Sequence, residues 1–498
     1  MQRCSTRQLM TGCGVASALG LVVGGAALVA ARVRGDFALL PRLAFDPSTF
    51  FAFLLPPIIF NAGLSVDNGA LHRYLQPVLL LGVLGTMVNC LVVAAGVSVA
   101  VDLLGGYPLS RRDCLALGAT FAATDTVATL QVLSPTAAPS LYALVLGEGC
   151  INDAISLVLL RALEALPDGG SAATSGGVLA LAARFVYLLV ASATLGFAIG
   201  IMACAAARYV NVRLSNASGD AVELEVAVIS LVAYLAYLLA ESLGLSGILS
   251  IFVAALAVSH YGMRCISRPA RNVTLHAVSA LSFLSEQTIF VYTGLATLDR
   301  AVWALARPGE VFALVSSVGA LLLASRALTV AAVAVAGNWL HGPSAHCISF
   351  REAAVVWWAG SMRGAVSVAI ATHHFAVVAP GRGAMLVPNT SEADDELRTR
   401  ASVIAATFFT VLGSTIVFSA GTRPFLLRVL PEAVASADGA HGACTSPLVD
   451  ADGGDAPSEE NEASWLHRMW RGMDERYLAP LLLQAPPSDR QSRYTELQ

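Results

Sequence analysis

The sequence predicts an all-α, polytopic membrane protein of about twelve transmembrane helices, and three observations carry that prediction. Of its 498 residues, 56% are hydrophobic and 13% charged, against about 25% charged in an ordinary soluble domain. Apolar runs near the ~20 residues that cross a hydrocarbon core recur along the chain. Inside several of them sit acids, amides and arginines that lipid alone would not tolerate. A surface so poor in charge needs a lipid bilayer as its partner.

Composition also excludes several activities. Thirty basic and 34 acidic residues give a net charge of −4, which offers nucleic acid no basic patch. The nine cysteines are scattered and form no Cys-x-x-Cys pair, so neither a disulfide framework nor a zinc site is indicated. No Walker loop, strand-borne GxGxxG or HExxH occurs. The chain therefore reads as a non-enzyme without a cofactor or a resident metal, and any transport would run on ion gradients.

The apolar runs lie near 9–31, 48–65, 77–104, 114–133, 140–163, 177–207, 221–243, 245–260, 273–298, 310–338, 353–379 and 401–421. The first could be a signal peptide cleaved after Ala16-Ser17-Ala18, but its apolar stretch continues to Ala31, which favours a true span. Only Glu241 to Leu245 separates the seventh run from the eighth. A membrane domain over 1–430 and a C-terminal tail over 431–498 follow. The tail opens with an Ala/Gly/Ser/Asp/Glu-rich linker over 432–463. Trp465 to Tyr477 then mixes aromatic and basic residues, as a helix that binds a membrane surface or a regulatory partner would. A loop bearing Arg264, Arg268 and Arg271 points to the cytosol. An even number of spans then puts both termini there and the acidic loop Glu392 to Glu396 in the lumen, where Asn389-Thr-Ser would be a usable glycosylation sequon. Asn216 and Asn272 head sequons on the cytosolic side.

Three polar clusters carry chemistry. Thr124-Asp125-Thr126 sits mid-run, where side chains that compete for backbone hydrogen bonds make a poor helix core. A helix broken there would offer free carbonyls and a carboxylate to a cation. In the next run, Glu148 and Asn152 lie four apart on one helical face with Asp153 alongside. Hard cations favour oxygen ligands, and a carboxylate deprived of water holds a proton more tightly, so the two can compete for one group. Trp357 to Ala365 places Arg363 between glycines in the eleventh run. Two interruptions, one in each half of the chain, are the pattern of an inverted-repeat transporter. Glu286 and Arg326 are further intramembrane charges, read with Glu148 as ion pairs holding helices together. His373-His374 marks a span end.

These clusters, in this order, resemble the sodium/proton exchangers of the monovalent cation/proton antiporter superfamily, and most the plant vacuolar and endosomal type. Phe53-Leu-Leu55-Pro56-Pro57 is similar to that family's double-proline helix, associated there with amiloride-type inhibitors. Phe121 to Leu133, Gly147 to Asp153, Ser246 to Ser250, Ser259 to Tyr261, Ser285 to Phe290 and Trp357 to Val366 match in sequence order, and Trp470 to Tyr477 looks like the vacuolar tail. The resemblance implies an inverted-repeat antiporter fold with a dimer domain, a core domain and two unwound crossing helices, assembled as a homodimer. It implies that Asp153 binds the cation or the proton, that Asn152 is its partner, and that Thr124 and Asp125 belong to the crossing. Glu148 would pair with Arg326 or Arg363.

Three departures stand out. Thr126 replaces a proline common in animal and bacterial members, and Gly149 replaces a serine that many members carry, removing one possible side-chain ligand. The family also commonly shows thirteen spans, with an apolar helix ahead of the run at 9–31. The expected activity is exchange of Na+ or K+ for H+ by alternating access, one for one and electrically silent, across a vacuolar, endosomal or Golgi membrane. A sodium-coupled symporter of an organic anion would need more basic residues facing a cavity, and a non-transporting sensor would show no flux at all.

Overall fold

The computed structural model describes residues 12–34, 46–66, 77–104, 109–134, 137–165, 175–214, 221–341, 349–375 and 391–431, and all their regular structure is helical. The elements are α1 (Gly12–Arg34), α2 (Pro47–Ser65), α3 (Pro77–Asp102), α4 (Arg111–Ala122) and α5 (Val127–Leu130). Next come α6 (Pro139–Glu164), α7 (Ser175–Leu214), α8 (Ala221–Ser242), α9 (Gly247–Cys265) and α10 (Arg268–Ala296). The series ends with α11 (Arg300–Leu305), α12 (Pro308–His341), α13 (Phe350–Ala359), α14 (Ala365–His374) and α15 (Ser391–Val429).

Among the described residues, nine helices are long and apolar enough to cross a membrane: α1, α2, α3, α6, α7, α8, α9, α12 and α15. The other three predicted runs hold α10, which carries charge along its length, and the two interrupted pairs α4–α5 and α13–α14. Both interrupted pairs begin with the same device. Ser110 and Asp113 form a reciprocal capping box (Asp113 N to Ser110 Oγ 3.1 Å, Ser110 N to Asp113 Oδ2 3.0 Å). Ser349 and Glu352 form another (3.2 and 2.8 Å). Each box satisfies two otherwise orphaned N–H groups and fixes where its short helix starts. Within α2, a π-turn over Phe50–Leu54 precedes Pro56 and Pro57, where two missing N–H donors loosen the ladder.

Several expected boundaries change. The acidic segment Glu392 to Glu396 is no loop but the start of α15, where carboxylates favour the positive end of a helix. There Asp395 pairs with Arg307, and Glu396 with Arg400 at 2.7 Å. The arginine-bearing connection shrinks to Ile266 and Ser267, with Arg264 and Arg268 on helix ends and Arg271 inside α10. Ser267 donates through its N–H and hydroxyl to Glu225 Oε2 (2.9 and 3.0 Å), which pins that corner. The division between α8 and α9 holds, because Gly244 takes a left-handed turn (φ +67°) and Ser246 caps α9. The linker, the Trp465–Tyr477 segment, Asn216 and Asn389 lie outside the described residues, and Asn272 lies in α10.

Packing divides the chain into two compact units. The first takes α1, α2 to Leu55, α3 to α6, α7 to Leu189, α10 from Phe283, and α11 to α15. At its centre Val78 and Leu81 of α3, Leu144 and Val145 of α6, Val355 and Val356 of α13 and Leu426 of α15 form one apolar cluster. α6 is wrapped by protein over 83% of its apolar stretch, which is what allows it to carry acids through a membrane.

The second unit takes α2 from Pro56, α7 from Val190, α8, α9 and α10 to Ser282. α8 is only 28% buried over its stretch and turns Leu231 outward, as a lipid-facing helix does. α7 meets α9 through Gly196 and Gly200, where an added methyl would collide with Ser250 O and with Ala254 and Ala257. Small residues four apart let two backbones touch, the main source of helix adhesion in lipid. Gly196→Ala is expected to cost about 1–3 kcal/mol by forcing the helices apart. A lowered melting temperature in detergent would show it, and an unchanged melt would refute this packing.

Candidate functional site

The site forms where the two interruptions meet against α6, all within the first unit. Ala123–Thr126 is non-helical, and so is Met362–Gly364 after the turn at Gly360 and Ser361. Asp125 N donates to Met362 O at 3.0 Å, so each break satisfies part of the other. The crossing is fastened by Ser367 Oγ to Thr120 O (2.8 Å), Arg363 N to Ser414 Oγ (3.2 Å) and Thr415 Oγ1 to Arg363 O (3.3 Å). Gly364 leaves room for Asp125, since a Cβ there would press on the aspartate side chain at 2.8 Å.

Two arginines are fully buried here, and they do different work. Arg326 of α12 grips Glu148 with both nitrogens, Nη1 to Oε1 and Nη2 to Oε2, each at 2.7 Å. Both side chains are 1% exposed, and Nη2 also donates to Val356 O at 3.0 Å. Gly360 makes this possible, because any side chain there would overlap the Arg326 guanidinium. The sequence left Arg326 and Arg363 open as partners of Glu148, and the geometry selects Arg326.

Arg363, 0% exposed, departs from the expectation of an ion pair: it makes none among the described residues. Its Nη1 donates instead to Gly360 O (2.6 Å) and Met362 O (3.1 Å), carbonyls that the interruption strands. Its Nε and Nη2 have no hydrogen-bond partner among the described residues. A buried guanidinium thus stands at the crossing, held by the carbonyls of the second break. Glu286 lies partly exposed on α10.

The remaining polar groups come from α6 and the first break. Asn152 Nδ2 donates to Thr124 Oγ1 in a short contact and, more weakly, to Glu148 Oε1 at 3.4 Å, while Asn152 Oδ1 accepts from Thr124 N at 3.5 Å. Asp125, 8% exposed, accepts at Oδ1 from Val127 N (3.0 Å) and so caps α5. Asp153 differs from the other two acids. It is partly exposed, and its Oδ1 has no hydrogen-bond partner among the described residues. Asp153, Asn152, Asp125, Thr124, Glu148, Arg326 and Arg363 therefore come together. Phe53 to Pro57 do not join them: Phe53 is 67% exposed on the outside of α2, Leu55 is buried in it, and the prolines shape its ladder. No trio of His, Cys, Asp and Glu among the described residues is arranged to hold a resident metal.

The sequence reading missed Ser367, Ser414 and Thr415, whose hydroxyls fasten the second break. Nothing in their local pattern marks them, since each matters only through a carbonyl or N–H some 50 or more residues away. The two Ser-x-x-acid capping boxes were legible and would have paired the two interrupted helices.

A profile described as sodium/hydrogen exchanger, transmembrane, matches residues 8–428. The chain belongs to the sodium/hydrogen exchanger family. This exchanger is 33% identical to sodium/hydrogen exchanger 1 of Arabidopsis thaliana over 460 residues, covering 88% of this chain and 82% of that one. It is 34% identical to sodium/hydrogen exchanger 1 of Oryza sativa subsp. japonica over 456 residues (88% and 81%). Identity falls to 25% with sodium/hydrogen exchanger 9 of Equus caballus, over 90% of this chain and 66% of that one. Its fold is similar to that of the sodium proton antiporter MjNhaP1 from Methanocaldococcus jannaschii, with TM-score 0.56, 17% identity, and 83% of this chain matched to 97% of that one. The family consists of transporters and not enzymes, and its relatives are sodium/hydrogen exchangers, which favours exchange over the symporter and sensor readings.

Proposed function

We propose that this chain exchanges Na+ or K+ for H+ through one shared carboxylate, Asp153, presented in turn to the two sides of the membrane. The observation that carries the reading is the division of labour among three acids. Glu148 is neutralised by Arg326 and Asp125 is engaged at the start of α5, while Asp153 Oδ1 is left without a partner. An oxygen in that condition gains a ligand from either a proton or an alkali ion. Asn152, oriented by Thr124, adds a non-titrating amide beside it.

Charge arithmetic gives the stoichiometry. Three carboxylates and two guanidiniums leave the ionised site with one negative charge, and one proton or one monovalent cation neutralises it. A loaded site is then uncharged in either form, and the cycle is one for one and electroneutral. Its test is acid-quench recovery in proteoliposomes with Na+ or K+ outside, repeated at imposed membrane potentials. Recovery driven by the cation and indifferent to potential is expected, and a potential-dependent rate would refute the one-charge site.

The exchanger works as a homodimer in a vacuolar, endosomal or Golgi membrane, with residues 431–498 in the cytosol. The likeness of its motifs and of Trp470 to Tyr477 to the plant vacuolar and endosomal type supports this placement, and the Trp465–Tyr477 pattern supports a regulatory partner for the tail.

A further inference from the structure

We infer that Thr126 provides, from the broken helix, a neutral oxygen ligand for the transported cation at the place where α6 has only Gly149. The inference rests on Asp153 being the exchange site. Gly149 lies four residues before Asp153 and so one turn away on the same face of α6. That face is not empty at Gly149. A Cβ built there would overlap Thr126 Oγ1 and approach Thr126 Cγ2 at 3.1 Å. The threonine hydroxyl thus occupies the volume that a short polar side chain at position 149 would fill.

A second observation concerns what that hydroxyl does. Thr126 is 6% exposed, and its side chain makes no capping hydrogen bond to α5. It stands at the N-cap position of α5, but the capping is done by Asp125, whose Oδ1 takes the Val127 N–H at 3.0 Å. A hydroxyl relieved of its local capping task keeps its lone pairs available to another partner. A threonine oxygen is a hard ligand that suits an alkali cation. It sits one turn from the carboxylate whose own Oδ1 is without a partner among the described residues. The nearby Thr124 hydroxyl, by contrast, already accepts from Asn152. Asp153 would supply the charge and Thr126 part of the coordination shell, so Thr126 would set cation affinity and the ranking of Na+, K+ and Li+.

The test is Thr126→Val, which keeps the shape over Gly149 and removes the oxygen, measured beside Thr126→Ser. Loss of one ligand of hydrogen-bond strength should raise the apparent KM for Na+ about 10-fold, change the Na+/K+ ratio, and lower the maximal rate far less. Thr126→Ser should recover the low KM. A merely space-filling threonine predicts the reverse, with Val harmless and Ser impaired, and that pattern or an unchanged KM in Thr126→Val overturns the inference. If Thr126→Val does not accumulate folded, Thr126→Ala with Gly149→Ser carries the test by moving the hydroxyl across the crossing. Tighter Na+ binding in that pair than in Thr126→Ala alone is expected, and equal binding overturns the inference. Asp153→Asn in the same vesicles separates the two claims. Exchange surviving there defeats the site itself, whereas exchange lost there with wild-type KM in Thr126→Val defeats only the role of Thr126.

Discussion

Asp153→Asn is expected to reduce cation-driven proton movement to the level of protein-free vesicles while the purified protein keeps its melting temperature. The substitution is nearly isosteric, and Asp153 Oδ1 holds nothing in place: no hydrogen bond to it exists among the described residues. What it removes is the ability to be either charged or protonated. An amide neither titrates near neutral pH nor offers a negative charge, so neither half of the cycle remains. Fluorescent pH recovery in proteoliposomes, set beside a thermal melt, reads both parts. Exchange persisting in Asp153→Asn would remove the proposed site. An unfolded variant would instead show that Asp153 has a structural role that its unpartnered oxygen denies.

Arg326→Ala should have the largest effect on stability, for the opposite reason. Its guanidinium makes two 2.7 Å bonds to Glu148, and both groups are 1% exposed. Truncation strands a buried carboxylate and a cavity, at a cost of about 3–5 kcal/mol. Glu148→Gln should cost less than Arg326→Ala, because Arg326 keeps its bond to Val356 O and an amide oxygen still accepts from it. Combining Glu148→Leu with Arg326→Met removes both charges together and should recover most of the lost stability, since a buried pair replaced by apolar groups is often neutral. Detergent melts of the three variants and wild type give the comparison. Arg326→Ala melting like wild type would mean that the pair does not hold α6 to α12. In the double variant the remaining charges are two carboxylates and one guanidinium, so the one-charge count still holds and exchange should persist at a reduced rate.

The two outcomes test the roles that the sequence assigned, Glu148 to an ion pair and Asp153 to the exchange site. Glu148, Asp153, Arg326 and Arg363 all read as charges stranded in apolar runs, and spacing alone makes Glu148 and Asp153 near neighbours on α6. Only the arrival of Arg326 through the gap at Gly360 commits Glu148 to structure and leaves Asp153 available. Arg363 shows the same dependence. Its surroundings suggested an ion pair, but the interruption of its own helix strands carbonyls at Gly360 and Met362, and these engage it first.

The apolar runs, the scarcity of charge and the two polar interruptions are local features of the sequence, legible because a bilayer demands that every spanning backbone group be satisfied within the protein. That is why the span positions, the break at Thr124–Thr126 and the family resemblance could be read without coordinates. Boundaries set by capping were less legible: the acids from Glu392 look like a loop in composition, yet they start α15. Pairing across the bundle was decided by tertiary structure alone. Whether an acid is neutralised or left without a partner depends on which side chain arrives from a helix more than a hundred residues away. Glu148 meets Arg326 across 178 positions and Asp125 meets Met362 across the two halves of the chain. No period or motif in one segment records the distance to another: the resemblance named Asp153 as the exchanging group, but only the fold decides that Glu148 meets Arg326 and not Arg363.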